Sequence, residues 1–526
     1  MTTRDLLSGP ITLSAAKHRS SNILHALRFP LQKREFYARI ERQRHLLSHL
    51  VAHHLNTDLT KVTISGQEYW RHGSFNLCVP VHVDNAADPT VPQYAMARFP
   101  LPYRVGEATN PGNSDEKIRT EAATYAWIHQ NCPDVPIPRL FGFGLSTKQQ
   151  ASLHIQLRFT HINHLPRWSR WYQHARRFVL AALRLELPSQ LVPHHSADLA
   201  DLDVGYLLIQ TIEDAEMLSI SWDDKYKDTR LQENLQRDVA RVMLSLANAS
   251  LPLPCIGTFR VDNRGYLRLD NRPLSIQSTI QENEGIPANA HRRQIFTSVK
   301  EFVVHHVDAF SNRLLHQPNG IESRSDANYQ MASLAGAAAL FPQLFRREFD
   351  NGPFVFALTD LHRSNILVDD EWNIVCIIDL EFACSWPLEF VQPPFWLGGE
   401  AMDEVTITSF AALHEGFIGH IEREEALFPN ARRGQEPLSA IMRQGWKLGT
   451  FWVTLAVMHP IAFTEIFYDR ILCDFMGVSR EEMSKVDHTF FARFWRRDVD
   501  HIIDEKLRDY DGYNEQLDLF FADDTN

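Results

Sequence analysis

Apolar residues recur at helical intervals from Arg34 to Leu55 (Phe36, Ile40, Leu46, Leu47, Leu50, Val51), which predicts a helix ahead of the first domain. Short β-type runs follow at Lys61 to Trp70, Asn76 to Val83 and Tyr94 to Phe99, separated by Gly, Asp, Asn and Pro, as in an antiparallel sheet. DEKIRTEAATYAWIHQ, Asp115 to Gln130, has acids at its start and apolar residues at helical spacing, so it reads as a helix that stops before Pro133. Val135 to Gly144 reads as a return strand. Residues 150 to 203 read as an insertion. It carries the aromatic and basic piece RWSRWYQHARRF, Arg167 to Phe178, expected to be an amphipathic helix covering the domain with Trp inward and Arg outward; RNA or membrane contact is the alternative. Tyr206 to Ile212 (YLLIQTI) reads as a connector strand. From there to about Asp511 the pattern is mostly helical, broken by one β segment near 354 to 379. The expectation is an α+β, bilobal fold. Its parts are an N-terminal extension with a helix (1–55), an N-lobe of about five strands and one helix (56–205), the connector (206–212), a larger helical C-lobe (213–515) and an acidic tail (516–526).

Size changes this picture little. With 526 residues, 44% of them hydrophobic and including 32 Phe and 11 Trp, the chain can fill one very large or two ordinary cores. A net charge of −12 gives no global attraction for nucleic acid or anionic lipid, though a local patch remains open, and no nucleic-acid partner is expected. Six scattered cysteines form no CxxC pair and read as reduced thiols of an intracellular protein. The best apolar runs, Met331 to Phe341 and Phe451 to Met458, fall short of the roughly 20 residues that span a bilayer, so no integral membrane association is expected. The first 34 residues are basic and contain Ser and Thr. They read either as a ragged extension of a cytoplasmic protein or as a mitochondrial transit peptide. From Asp498 to Asn526 ten acids face two basic residues, a composition expected of solvated surface.

Candidate chemistry concentrates in Phe354 to Pro387, FVFALTDLHRSNILVDDEWNIVCIIDLEFACSWP. Two apolar runs, Ile366 to Val368 and Ile374 to Ile378, flank the polar DDEWN and predict a hairpin. Asn365 precedes the first strand and Asp379 follows the second, so antiparallel pairing brings both to one end. Two oxygen ligands held in this way suit Mg²⁺, which completes its octahedron with water and phosphate. Asp360, five positions before Asn365, can face an incoming hydroxyl and accept its proton. That set of groups is what phosphoryl transfer requires.

The spacing D-x-x-x-x-N with a strand-end Asp 19 residues beyond Asp360 resembles the catalytic and metal-binding loops of the protein-kinase superfamily. More narrowly, TDLHRSNILVD and IIDLEFA are similar to the aminoglycoside phosphotransferase family, in its fungal phosphotransferase-like branch. LPLPCIGTFRVDNRGYLRLDNRPL, Leu251 to Leu274, and PPFWLGG, Pro393 to Gly399, add to that likeness. The resemblance implies a protein-kinase-like fold with ATP, or another nucleoside triphosphate, and Mg²⁺ between the lobes. It implies Asp360 as catalytic base and Asn365 and Asp379 as metal ligands. Gly73, Ser74 and Asn76 stand where a hairpin covers phosphate, Arg98 where a basic residue grips the α and β phosphates, and Glu121 where a helix supplies its ion-pair partner. The chain departs from the pattern in having Arg98 for lysine, Leu358 for histidine, and few glycines in the covering loop. His362 is expected to support its loop. Glu381 is expected to satisfy nearby basic groups, with metal or cationic substrate as the alternative. The acceptor is read as a hydroxyl of a small molecule, because no APE-type segment follows Asp379. Two alternatives stay open: a nucleotide-binding pseudokinase or scaffold, and a protein kinase. The sequence leaves the oligomeric state open.

Overall fold

A computed structural model describes residues 2–84, 91–146, 157–194, 196, 199, 201–399, 405–428, 436–459, 462–483 and 485–522. Its N-terminal half is built on one antiparallel sheet of eight strands. The order is Val62–Ile64, Asn76–Val83, Tyr94–Pro100, Tyr206–Gln210, Leu140–Gly144, Arg158–His161 and Leu191–His194, with Arg71–His72 also paired to Asn76–Val83. Alternating side chains explain its two-sided burial. Leu208 packs with Leu77, Val79, Val81 and Phe99 under two helices, Phe29–Arg42 and Arg44–Leu55. Leu207 packs on the opposite face with Ile118, Ala122 and Tyr125 of the helix Asn113–Asn131.

This sheet is larger than the sequence pattern predicts, for identifiable reasons. Only Val62–Ile64 of the Lys61 to Trp70 run is strand, because Gln67–Tyr69 makes a 3₁₀ turn and the Trp70 indole donates back to Ser65 O at 3.0 Å. The piece read as an insertion contributes two edge strands, Arg158–His161 and Leu191–His194. The connector Tyr206–Gln210 is a central strand, hydrogen-bonded on both sides. The helix between the two added edge strands, Arg167–Ala182, has no buried side chain, and Trp168 and Trp171 are 76% and 73% exposed. The expectation of Trp inward is therefore corrected: its apolar side faces out.

The C-terminal half is mainly helical. Thr229–Asn248, Val299–His316, Arg324–Leu340, Ile407–Leu427 and Thr450–Met458 surround one core containing Leu235, Phe302, Met331, Phe417 and Val453. The expected bilobal α+β architecture is present. A two-stranded hairpin, Thr258–Val261 and Leu267–Asn271, lies against the helix Asn113–Asn131, with Arg119 donating to Val261 O at 2.7 Å. From just beyond that hairpin, Arg272 reaches Glu116 of the same helix at 2.8 Å. The helix is thus fixed from both halves.

Both chain ends are ordered against each other. Residues Thr3–Leu6 and Gly9–Thr12 form a hairpin, and Ile11, Ala16, Ile23 and Leu27 pack on Tyr513, Leu517 and Phe521 of the final helix Val499–Ala522. Lys17 pairs with Asp518 at 2.6 Å, and the Tyr513 hydroxyl accepts from Ile23 N at 3.0 Å. The acidic segment is therefore a docked amphipathic helix through Ala522, not wholly solvated surface, because its acids share the helix with an apolar stripe. Residues 523–526 of the expected tail, like 150–156, 195, 197, 198 and 200 of the expected insertion, lie outside the described residues.

Candidate active site

Two strand pairs meet beneath the sheet. Phe354–Leu358 pairs with Ala383–Pro387, and Ile366–Val368 with Ile374–Ile377, in register Ile366 to Ile377. Ile378 N donates to Asn365 O at 2.9 Å, so the last rung of the second hairpin places Asn365 opposite Ile378, next to Asp379. The tip is held by Asp369, whose carboxylate accepts from Glu371 N at 3.0 Å and Asn373 N at 2.9 Å. Trp372, at the tip with φ +57°, stacks on Trp222 at 5.4 Å.

Asp360 sits in the loop between these strand pairs. Its carboxylate accepts from Asn365 Nδ2 at 3.0 Å, and its carbonyl accepts from the same amide nitrogen at 2.9 Å. The amide group is thereby oriented with its nitrogen on Asp360 and its oxygen turned away. Burial, then the negative charge of Glu381, push the Asp360 carboxyl up to about 7; the Asn365 hydrogen bond opposes this, and Asp379 adds to it. Asp379 has φ +56°, a left-handed conformation that L-residues adopt reluctantly, and its side chain is 37% exposed. Strand geometry ends there, which turns the carboxylate out of the hairpin.

Arg98 lies mid-strand opposite Cys78 and Leu207. Its guanidinium joins Glu121 at 2.6 Å and also contacts Asp379, as the expected pairing with Glu121 requires. Sequence reasoning missed Lys117. One helical turn before Glu121, its ammonium is buried within 2.5 Å of Glu381, 3.3 Å of Glu121 and 2.8 Å of Asn76 Oδ1. Burial works against its charge, but Glu381 and Glu121 outweigh it and hold its pKa above the ordinary value. The signal was present as a Lys–Glu pair four apart in EKIRTE, on a helix flanked by two sheets of apolar sequence. Glu381 serves the basic groups, receiving Lys117 and the Asn76 amide (2.7 Å).

The other predicted residues divide. Gly73 and Ser74 lie in an exposed turn between Arg71–His72 and Asn76–Val83, closed by Gly73 N donating to Asn76 O at 3.0 Å. Asn76 is buried in the Lys117–Glu381 network, so its side chain does not belong to that turn's outer surface. Phe75 between them packs edge-on against Phe382 at 5.6 Å, bringing the turn onto the segment that follows Asp379. His362 accepts from Ser364 N at 3.4 Å, a loop-supporting contact.

A cavity of about 200 Å³ opens beside Asp360 and His362, walled by Phe356, Phe395, Trp396 and Met458. Two of its lining residues, Gln392 and Thr454, carry buried oxygens (Oε1 and Oγ1) with no hydrogen-bond partner among the described residues. Pro393 to Trp396, which carry part of the sequence resemblance, form this wall; Trp396 is fixed by its indole donating to Leu361 O at 2.8 Å.

The oxygen chemistry of Asn365 and Asp379 fits a hard divalent cation that keeps several positions for water and phosphate. Among the described residues no group of three or more His, Cys, Asp or Glu could hold a metal on its own. Residues 232–390 match the sequence model of the phosphotransferase enzyme family, APH. The matched span holds Asp360, Asn365, Asp379 and Glu381 but not the sheet that carries Arg98. A search of curated proteins gives no match.

Proposed function

We propose that this chain transfers the terminal phosphoryl group of a nucleoside triphosphate, ATP foremost, to a hydroxyl of a small molecule. The observation that carries the reading is the convergence of Asp360, Asn365 and Asp379 at one end of a hairpin, beside a cavity of acceptor size. The match of that segment to the phosphotransferase family supports it.

In this reading Asn365 Oδ1 and the Asp379 carboxylate would hold Mg²⁺, which would supply charge neutralisation for the phosphates. Arg98 and Lys117 bring two fixed positive charges to the same place, anchored by Glu121 and Glu381. The Asp360 carboxylate orients the acceptor hydroxyl and takes its proton as the oxygen bonds to phosphorus and the bond to the leaving nucleoside diphosphate breaks. Phe356, Phe395 and Trp396 exclude water from the acceptor side, and the free oxygens of Gln392 and Thr454 each offer to accept a hydrogen bond from it. Such a wall suits a compact, largely apolar alcohol with one or two N–H or O–H donors. Among the described residues it has one carboxylate, Asp360, for a cationic group, which disfavours a polycationic acceptor.

A second reading, a nucleotide-binding scaffold, draws on the Arg98 guanidinium lying directly on Asp379 and on the small space, about 10 Å³, enclosed between Asp360 and Asp379. Labelled ATP incubated with the protein and a cell metabolite extract separates the two. Transfer predicts label in a small-molecule product, reduced about 10²- to 10⁴-fold by Asp360→Asn. A scaffold yields none, and a protein kinase places the label in protein instead.

A further inference from the structure

The helix Arg167–Ala182 is mounted in reverse. It connects the two edge strands Arg158–His161 and Leu191–His194 at one side of the N-terminal sheet. At 100° per residue, Trp168, Trp171, Tyr172, Phe178 and Val179 fall within one arc of about 120°, and Arg170, Gln173 and Arg177 on the opposite side. A helix on a globular surface ordinarily turns such an arc toward the core. Here the arc is outward, with Tyr172 at 55%, Phe178 at 75% and Val179 at 53% exposure, while Arg170 donates to Asn163 O at 3.2 Å and Arg177 bonds Pro188 O on the body side. Leu183 and Leu185 extend the apolar surface, and among the described residues nothing covers it. A contiguous exposed patch of this kind marks an interaction face.

Charge selects the partner. Between Arg167 and Leu185 there are five arginines (Arg167, Arg170, Arg176, Arg177, Arg184) and no acid, in a chain whose overall charge is −12. Under the C-terminal end of the helix, Leu180 and Leu185 wall a cavity of about 780 Å³ lined by six arginines, Arg119 and Arg264 among them, against three acids, Glu116, Glu186 and Asp262. Basic groups flanking an outward arc of Trp, Tyr, Phe and Val match an anionic lipid surface: rings enter the headgroup boundary and guanidinium groups meet phosphate. We propose that Arg167–Ala182 is an interfacial anchor that lays its apolar arc on an anionic membrane, so that the protein binds the bilayer peripherally without crossing it.

Sedimentation of the full chain with phosphatidylcholine vesicles, with and without phosphatidylserine, tests this. The wild type is expected to pellet with the phosphatidylserine vesicles and to be released by high salt. Replacing Trp168, Trp171 and Phe178 together by Ser lowers that partitioning at least about tenfold with thermal unfolding unchanged, since all three side chains are exposed. Arg167→Gln with Arg184→Gln removes the preference for the anionic vesicles. Absence of wild-type binding to either vesicle, or equal binding by the triple variant, overturns the proposal. So does a wild-type dimer in sedimentation velocity that the triple variant converts to monomer, which would assign the face to a second copy of this chain.

Discussion

At the scale of single residues, the site is governed by how three carboxylates divide two buried cations. Glu121, Glu381 and Asp379 hold Arg98 and Lys117, which leaves Asp360 with negative neighbours and, among the described residues, one amide donor. Its pKa of about 7 lies above the ordinary 3.8, so two consequences have definite signs. Ionising Asp360 costs folded-state stability as pH rises from about 4 to about 7. Asp360→Asn is therefore expected to be more stable than wild type above pH 7, by on the order of 1 kcal/mol, with the difference vanishing below about pH 4; thermal unfolding across that range measures it. A base that must be ionised to work also gives kcat/KM an acid limb near neutrality, lowered when Mg²⁺ offsets the charge of Asp379. The pairing of Arg98 with Glu121 was legible through the family resemblance, which implied it. For Lys117 the sequence held only its spacing to Glu121; its place in the site depends on Glu381 arriving from a segment more than 260 positions away.

At the scale of elements, the hairpin Ile366–Ile377 was legible because its apolar runs, its polar DDEWN turn and its flanking Asn and Asp all point to one register. That register rests on the tip. Asp369→Ala removes the acceptor for two backbone amides, and the expected cost is about 1–2 kcal/mol with a matching loss of Mg²⁺-dependent nucleotide affinity. Retained affinity despite lost stability would show that Asn365 and Asp379 hold their places without the tip. Two other elements were misread for physical reasons. The strands Arg158–His161 and Leu191–His194 are four residues each and separated by a helix, too short and too far apart for periodicity to reveal. In Arg167–Ala182 periodicity gave the helix but not its orientation, since an amphipathic pattern does not say which side faces the protein. The walls of the cavity beside Asp360 come from strand, loop and helix segments more than 200 positions apart, from Val242 to His459, and only packing unites them.

At the scale of the whole molecule, the first and last segments act as a clasp. The basic N-terminal residues are not a ragged extension: they complete a small core with the acidic final helix. Opposite charge was visible in the sequence; the contact was not, because it joins positions about 500 apart. Deleting residues 2–28 is expected to leave Tyr513, Leu517 and Phe521 uncovered and to raise amide exchange of the helix end by at least about tenfold, with the hairpin Ile366–Ile377 unaffected. Unchanged exchange would show that the helix is held by its other contacts.

The two lobes meet through Arg98 on Asp379 and Lys117 on Glu381, so the sheet reports directly on the end of the hairpin proposed to bind metal. Calorimetric titration of ATP into the wild type, Asp360→Asn and Asp379→Ala, with and without Mg²⁺, probes that arrangement. The account predicts Mg²⁺-dependent binding to the wild type, kept in Asp360→Asn and lost in Asp379→Ala. Binding that ignores Mg²⁺, or that survives Asp379→Ala unchanged, would contradict it.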